Sequence, residues 1–188
     1  MQPTRFVLQR FSMLELSETS AREVADYFLR NKSHLAASMP LREAHFHTER
    51  YWAEQISRYR VSRDRGAELR WFLHVGHRVI GHVGFDQIVR GPFQSCYLGY
   101  GIDTEYEGHG LMRQALRRSL DHVVRDLGLN RVMANYEPGN TRSERLLQSL
   151  GFEREGYARR YLKLNGCWKD HVLTSLVADD SQRTLGEG

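Results

Sequence analysis

The chain has 188 residues, 40% of them hydrophobic, which suits one domain with its own core. No run of about 18 apolar residues occurs, which argues against a membrane-spanning helix, and the N-terminal stretch lacks the apolar centre of a signal peptide. Two widely separated cysteines, Cys96 and Cys167, do not suggest a disulfide, so we expect a cytoplasmic protein. The formal net charge of +4 suits an anionic ligand or an RNA-rich surface but is too small to predict nucleic-acid binding.

Hydrophobic periodicity predicts helices early in the chain and mostly strands later. Ser17, Thr19 or Ser20 could cap the first helix. In chain order we predict a strand at 6–11, a helix to about 30, a loop at 31–40, a helix at 48–63, strands at 68–75, 79–89 and 94–102, a helix at 111–127, a strand at 131–136, a helix at 141–150 and paired strands at 152–164 and 168–177. The last two are joined by Asn165-Gly166, a strong hairpin signal.

The connections between these elements predict the sheet. The strands at 94–102 and 131–136 are joined through a helix, so they should be parallel if they are adjacent. The other strands are joined by short turns and should be antiparallel. We therefore predict an α/β fold with a mixed, mostly antiparallel sheet, in a single domain over residues 1–178 followed by a polar tail at 179–188.

A loop with two glycines precedes the helix at 111–127, whose apolar face we predict to hold Met112, Leu116, Leu120, Val123 and Leu127. Gly108 and Gly110 let a ligand approach the backbone, and the first N–H groups of a helix have no partner inside it. This combination predicts an anion site suited to phosphate or pyrophosphate, with a simple tight turn as the alternative. A dinucleotide loop would need glycine where Arg113 stands, and a P-loop would need Gly-Lys-Ser/Thr, which is absent.

A second short pattern, His45-x-His47, could suggest a metal site. No further ligand lies in range along the chain, so we expect both histidines at the surface and predict no metal.

The order of elements and the motifs resemble the GNAT N-acetyltransferases. The family's pyrophosphate loop reads Gln/Arg-x-x-Gly-x-Gly/Ala and corresponds here to EYEGHG, with Glu105 as a departure at the first position. The segment beside the cofactor's pantetheine arm corresponds to NYEPGNTRSERLLQSLGF. Three further runs resemble the family's ribosomal-protein-alanine N-acetyltransferases: VRGPFQSCYLGYGI, GHGLMRQAL and LLQSLGFEREGYARRYLKLNGCWKDHVL.

The resemblance implies acetyl-CoA as cosubstrate, bound where two central parallel strands splay apart. Asn140 would hydrogen-bond the pantetheine arm, unless it serves only as a helix cap. Ser143 would lie near the thioester sulfur and could protonate the leaving thiolate, unless it is an ordinary residue of the capping turn. Main-chain groups of three strand residues would pair with the pantetheine amides: Tyr100, Gly101 and Ile102. Backbone amides of six loop residues would hold the pyrophosphate: Glu107, Gly108, His109, Gly110, Leu111 and Met112.

The resemblance also implies an acceptor, the N-terminal α-amine of a ribosomal protein, with alanine as the expected residue. A small amine such as an amino acid, polyamine or antibiotic is the alternative, and a ribosome-associated factor with a secondary acetyl-CoA site is another. We expect no membrane or DNA partner. The stretch AASMP departs from related proteins and weakens the inference on the acceptor. Residues expected to shape its pocket are His34, His45, Phe46, Tyr51 and Trp52.

No general base is evident, because Leu162 stands about where some relatives have a glutamate. We therefore expect the amine proton to leave through ordered water. The alternative groups on strands or at their ends are Asp86, Asp103, Glu137, Tyr97, Tyr100 and Tyr161.

Overall fold

The computed structural model describes residues 2–179, and within them eight strands form one sheet. The strands are β1 (Phe6–Val7), β2 (Ser12–Glu15), β3 (Leu69–Val75), β4 (Arg78–Val89), β5 (Ser95–Ile102), β6 (Arg131–Met133), β7 (Glu153–Leu164) and β8 (Cys167–Val177). Their order across the sheet is β1-β2-β3-β4-β5-β6-β8-β7. Only β5 and β6 pair in parallel, so the predicted mixed, mostly antiparallel sheet is confirmed.

Five α-helices lie in the described part of the chain: α1 (Ala21–Arg30), α2 (Lys32–Leu35), α3 (Glu49–Asp64), α4 (Leu111–Asp121) and α5 (Thr141–Gln148). A π-helical turn, His122–Asp126, continues α4. Among residues 2–179, no helix combines the length and apolar character needed to cross a bilayer. Both cysteines are free, Cys96 buried and Cys167 exposed.

The helices cover the two faces of the sheet with two separate cores. On one face α4 packs its predicted apolar side, of which Met112, Leu116, Leu120 and Val123 are buried and Leu127 is half-buried. On the other face α1 and α3 pack aromatic residues against β3 and β4. The buried members there include Tyr27, Phe28, Phe46, Trp52 and Phe72.

Three predicted elements are wrong in extent or type. The single strand at 6–11 is instead β1 and β2 with a turn between them, closed by a bond from the Leu8 amide to the Phe11 carbonyl. The predicted loop at 31–40 contains α2 and a 3₁₀ turn, Ala36–Ser38, because Pro40 restricts only the residue before it. The strand predicted to reach Tyr136 ends at Met133 and continues as isolated bridging.

The other predicted elements agree with the structure to within a few residues at their ends. Thr48 caps α3 through a bond from the Tyr51 amide, and Ser20 precedes α1. Asn165 and Gly166 have φ of 43° and 78°, as expected for the turn between β7 and β8. The predicted polar tail lies outside the described residues apart from Asp179.

Candidate active site

The parallel strands β5 and β6 separate after three paired residues. Their register ends at Tyr97 and Met133. Beyond it the chain after β6 continues beside β8, with which β6 is also paired, and the Ala134 amide donates to the Thr174 carbonyl at 3.0 Å. Residues 98–102 of β5 therefore keep β4 on one side and, among the described residues, have no strand on the other. The result is a slot with a free strand edge along one wall.

The glycine loop lies just beyond the end of this edge. Gly110 is the residue before α4, with φ of 72°, and no side chain caps the helix. The first amides of α4 are therefore free to bind an anion. Gly108 has φ of 76°, and neither glycine has an atom within 4 Å of where a Cβ would stand. His109 is exposed, whereas the side chains of Leu111 and Met112 are buried. The turn thus presents backbone to its surroundings.

Charged contacts fix the loop on both sides. Glu107 pairs with Arg142 of α5 and lies 3.2 Å from the His34 ring. At the start of the loop the buried Asp103 carboxylate accepts from Arg30 at 3.2 Å. Burial alone would raise the pKa of Asp103, but hydrogen bonds, including one from the Asn31 side chain, outweigh it and lower that pKa. Asp103 therefore anchors the loop.

Asn140, Ser143 and Tyr100 meet beside the slot. The Asn140 side chain accepts from the Ser143 amide at 3.1 Å and so caps α5, one of its two expected roles. Burial raises the pKa of Tyr100, and a contact from the Ser143 side chain partly offsets that rise. The Tyr100 hydroxyl has no hydrogen bond of good geometry among the described residues. This buried hydroxyl beside Ser143 is therefore available to a ligand in the slot.

A cavity of about 440 Å³ reaches the slot from the face covered by α1, α2 and α3. Leu98 and Gly99 line it although their side-chain positions lie on opposite faces of the sheet, so the cavity extends through the gap between β5 and β6. Three residues expected at the acceptor pocket also line it: Phe46, Tyr51 and Trp52. His34 and His45 do not line it; His34 contacts the glycine loop, and His45 is exposed beside Glu43.

The carboxylates of the cavity wall are paired with cations. Asp86 accepts from Arg70 at 2.8 Å, and Glu137 lies 3.5 Å from Lys169. Glu68 also lines the cavity and lies 3.6 Å from Arg70. Leu162 is in the wall as well, and its apolar side chain offers no proton acceptor. No carboxylate here stands apart as an evident base.

The sequence analysis did not identify His82 as a residue of the cavity wall. Its Nδ1 lies 3.1 Å from the Tyr27 hydroxyl, and its ring borders the cavity. Burial lowers the pKa of His82 to about 3, so the ring is neutral at physiological pH. The alternation of His82, Gly84 and Asp86 along β4 could have indicated that they share one face.

Two of the three tyrosines named as alternative catalytic groups, Tyr97 and Tyr161, form a second polar cluster at the closed end of the slot. Tyr161 accepts from the Asn135 side chain at 3.1 Å, and interaction with Tyr97 adds to burial in raising the pKa of Tyr161. Within residues 2–179, no group of three or more His, Cys, Asp or Glu is placed to hold a metal ion.

The free strand edge and the glycine turn together suit an extended cofactor that carries a phosphate, and comparison with known proteins identifies the family. Residues 13–153 match the family model described as Acetyltransferase (GNAT) domain. The chain belongs to the GNAT acetyltransferase family and is an N-acetyltransferase by that membership.

Several relatives are similar over nearly their whole length. The [Ribosomal protein uS5]-alanine N-acetyltransferase of Escherichia coli K12 is 35% identical over 94% of this chain and 92% of its own. The probable N-acetyltransferase YjcK of Bacillus subtilis is 34% identical over 89% and 94%.

Solved structures show the same fold. The ribosomal-protein-S5-alanine acetyltransferase of Vibrio fischeri has a TM-score of 0.89 at 34% identity, covering 94% of this chain and 98% of its own. Mycobacterium smegmatis RimJ, solved in complex with CoA-disulfide, has a TM-score of 0.86 at 24% identity, covering 100% and 93%.

Acid should destabilise the fold through His82. Its folded pKa of about 3 lies below the ordinary value of 6.5, so the unfolded chain takes up a proton that the folded chain refuses. The stabilisation is full above pH 6.5 and is lost as the pH falls toward 3. Between pH 7 and 5, urea unfolding should show a decrease in the free energy of unfolding that is roughly 1–2 kcal/mol larger for wild type than for His82→Asn. Equal decreases would contradict this.

Proposed function

We propose that the protein transfers acetyl from acetyl-CoA to the N-terminal α-amine of a ribosomal protein, with alanine as the accepted residue. One observation carries the proposal: the free edge of β5 leads from the glycine turn to the cavity, so a donor in the slot and an acceptor in the cavity meet beside Gly99 and Tyr100. The two relatives named for acetylating a ribosomal-protein alanine, at 35% and 34% identity, support the choice of acceptor.

The donor would lie along the slot as an added strand. Its pyrophosphate would accept from the backbone amides of residues 108–112. The Glu107 amide, expected to join them, instead donates to the Thr104 carbonyl at 3.3 Å. The pantetheine amides would pair with the main chain of Tyr100, Gly101 and Ile102. Asn140 would reach the same arm from α5. Arg142 and His34 contact Glu107, which moderates the repulsion between that carboxylate and a phosphate. A solved relative of the same fold is a complex with CoA-disulfide, which supports this placement.

The acceptor amine would attack the thioester carbonyl directly. The new C–N bond forms a tetrahedral oxyanion that a backbone N–H of the β5 edge can stabilise. The C–S bond then breaks, and Ser143 passes its hydroxyl proton to the leaving thiolate while it takes one from water in the cavity. The buried Tyr100 hydroxyl lies close by. An α-amine has a pKa near 7.7–8.0, so at about pH 7.4 roughly a quarter is already neutral, against about a thousandth of lysine side chains. This difference favours an N-terminal acceptor in a site without a strong base.

The acceptor proton would leave through ordered water in the cavity. Asp86 and Glu137 are each paired with a cation, and Asp103 is buried beneath the loop. These pairings are the reason to assign the proton to water, since a base must be free to receive it.

A thioester-release assay tests the acceptor. With acetyl-CoA and a peptide beginning with alanine, we expect release of CoA and, by mass spectrometry, one acetyl group on the α-amine. The same peptide with a blocked N-terminus and an internal lysine should stay unmodified because its amine is protonated. Transfer only to polyamines, free amino acids or antibiotics would replace the proposal with a small-amine enzyme. Absence of transfer to any amine, with binding to ribosomal subunits, would favour a ribosome-associated factor.

Ser143→Ala should separate chemistry from cofactor binding. Loss of the proton donor should lower kcat by roughly 100-fold, while the dissociation constant for CoA stays within about a factor of three. Ser149→Ala is the matched control, because Ser149 follows α5 and is exposed. Rapid-quench turnover and calorimetric titration with CoA measure the two quantities. Unchanged turnover in Ser143→Ala would remove Ser143 from the mechanism.

Neutralising the cavity carboxylates one at a time tests the water route. Asp86→Asn, Glu137→Gln and Glu68→Gln should each keep at least about a tenth of wild-type kcat, because none is the sole proton acceptor. Steady-state rates with saturating alanine peptide give the result. If one of these variants lost turnover completely while CoA still bound, that carboxylate would be the base.

A further inference from the structure

Three glycines of β4 and β5 lie on the face of the sheet that carries the cavity. Gly84 pairs with Gly99 across the strands, and His82 pairs with Gly101. Successive side chains of a strand point to opposite faces, so these four residues share one face. That face is the one carrying α1 and α2, since a Cβ on Gly101 would contact Leu35 of α2.

Two of the three glycines are explained by their neighbours. A Cβ on Gly101 would stand 2.7 Å from Cε1 of His82, a distance that side chains do not tolerate. A Cβ on Gly84 would stand 3.4 Å from Nε of Arg70, which leans across that position. At both sites glycine makes room for another side chain of the protein.

Gly99 has no such neighbour. A Cβ there would meet nothing within 4 Å, and the backbone of Gly99 does not adopt the left-handed conformation that favours glycine. Glycine in a strand interior is less stable than alanine by roughly 0.5–1 kcal/mol. The fold therefore gains nothing from glycine at this position, and a bare strand residue of this kind often marks the close approach of a ligand.

The direction in which a side chain at Gly99 would point shows which ligand occupies the space above this residue. Gly99 lies two residues past Tyr97, the last β5 residue paired with β6, and it lines the cavity. The slot lies in the plane of the sheet, whereas a side chain at Gly99 would stand roughly perpendicular to that plane. The missing side chain would therefore project into the cavity that receives the acceptor rather than into the donor's slot.

We propose that Gly99 sets the width of the acceptor: the amine and the substituent on its α-carbon pass over the bare Gly99 to reach the thioester. This rests on the proposed acetyl transfer and adds a size limit at the residue bearing the amine. Slender N-terminal residues, glycine and alanine, fit the passage, and a β-branched residue such as valine passes it slowly because of its width.

Gly99→Ala tests this with peptides that differ only in a first residue of glycine, alanine or valine. One added methyl group should lower kcat/KM about 10-fold or more for the alanine peptide, further for valine, and less than about threefold for glycine. The CoA dissociation constant should stay within about a factor of two, because the methyl group does not enter the slot. The thermal midpoint should be equal or slightly higher, since alanine reduces the entropy of the unfolded chain.

Gly156→Ala is the matched control. Gly156 is in β7, its backbone is not left-handed either, and an added Cβ would make only an ordinary contact, 3.9 Å from Leu173. This variant should keep the wild-type order and size of all three rates.

Two outcomes would overturn the inference: equal loss for all three peptides, or loss of CoA binding in Gly99→Ala. If the wild type acetylates small amines but no peptide, the proposed acceptor fails, and glycinamide, alaninamide and valinamide then give the same comparison at Gly99. The two failures are therefore distinguishable.

Discussion

The early end of pairing between β5 and β6 is the constraint on which the site depends. After Tyr97 and Met133 the two strands part: the chain beyond β6 stays beside β8, with which β6 is already paired, and no longer pairs with β5. The backbone N–H and C=O groups of a partly enclosed strand edge need hydrogen-bond partners, and a ligand with regularly spaced amides can supply them. Each such bond contributes only about 0.5–1.5 kcal/mol, so several are needed to hold a flexible arm in register.

Successive side chains of β5 point to opposite faces of the sheet, so the two faces make different contacts. Leu98 points into the core with α4, which fixes the strand. Tyr100, two residues on, brings its hydroxyl to Ser143 on α5. Gly99 and Gly101 lie on the opposite face, beneath the cavity wall that includes His82. One strand therefore supports the structure and, in the proposed reaction, would meet the cofactor at its edge and leave the acceptor a path across its other face.

The glycine turn of the candidate donor site could be predicted from sequence because it is local. Gly108, Gly110 and the amphipathic helix after them are contiguous, and their chemistry follows from backbone geometry. Periodicity and turn residues likewise identified most of the sheet, including the Asn165-Gly166 hairpin. Two of the errors have local causes. A turn closed by the Leu8 amide divides the first strand into β1 and β2, and α2 forms in a stretch assigned to a loop because Pro40 restricts only the residue before it.

The acceptor half could not be predicted in the same way, because its wall is assembled from distant segments. Trp52 from α3, His82 from β4 and Leu162 from β7 meet only in the folded chain, and so does the pair of Arg70 with Asp86. A sequence motif is recognised by the side chains that it contains, whereas part of this wall is open because Gly99 has no side chain. In the sequence Gly99 is indistinguishable from Gly101 two residues later. Only the neighbouring atoms show that Gly101 accommodates a histidine ring while Gly99 faces open space. Since an acceptor is selected by the space left to it as well as by the groups that bind it, that difference bears directly on substrate choice.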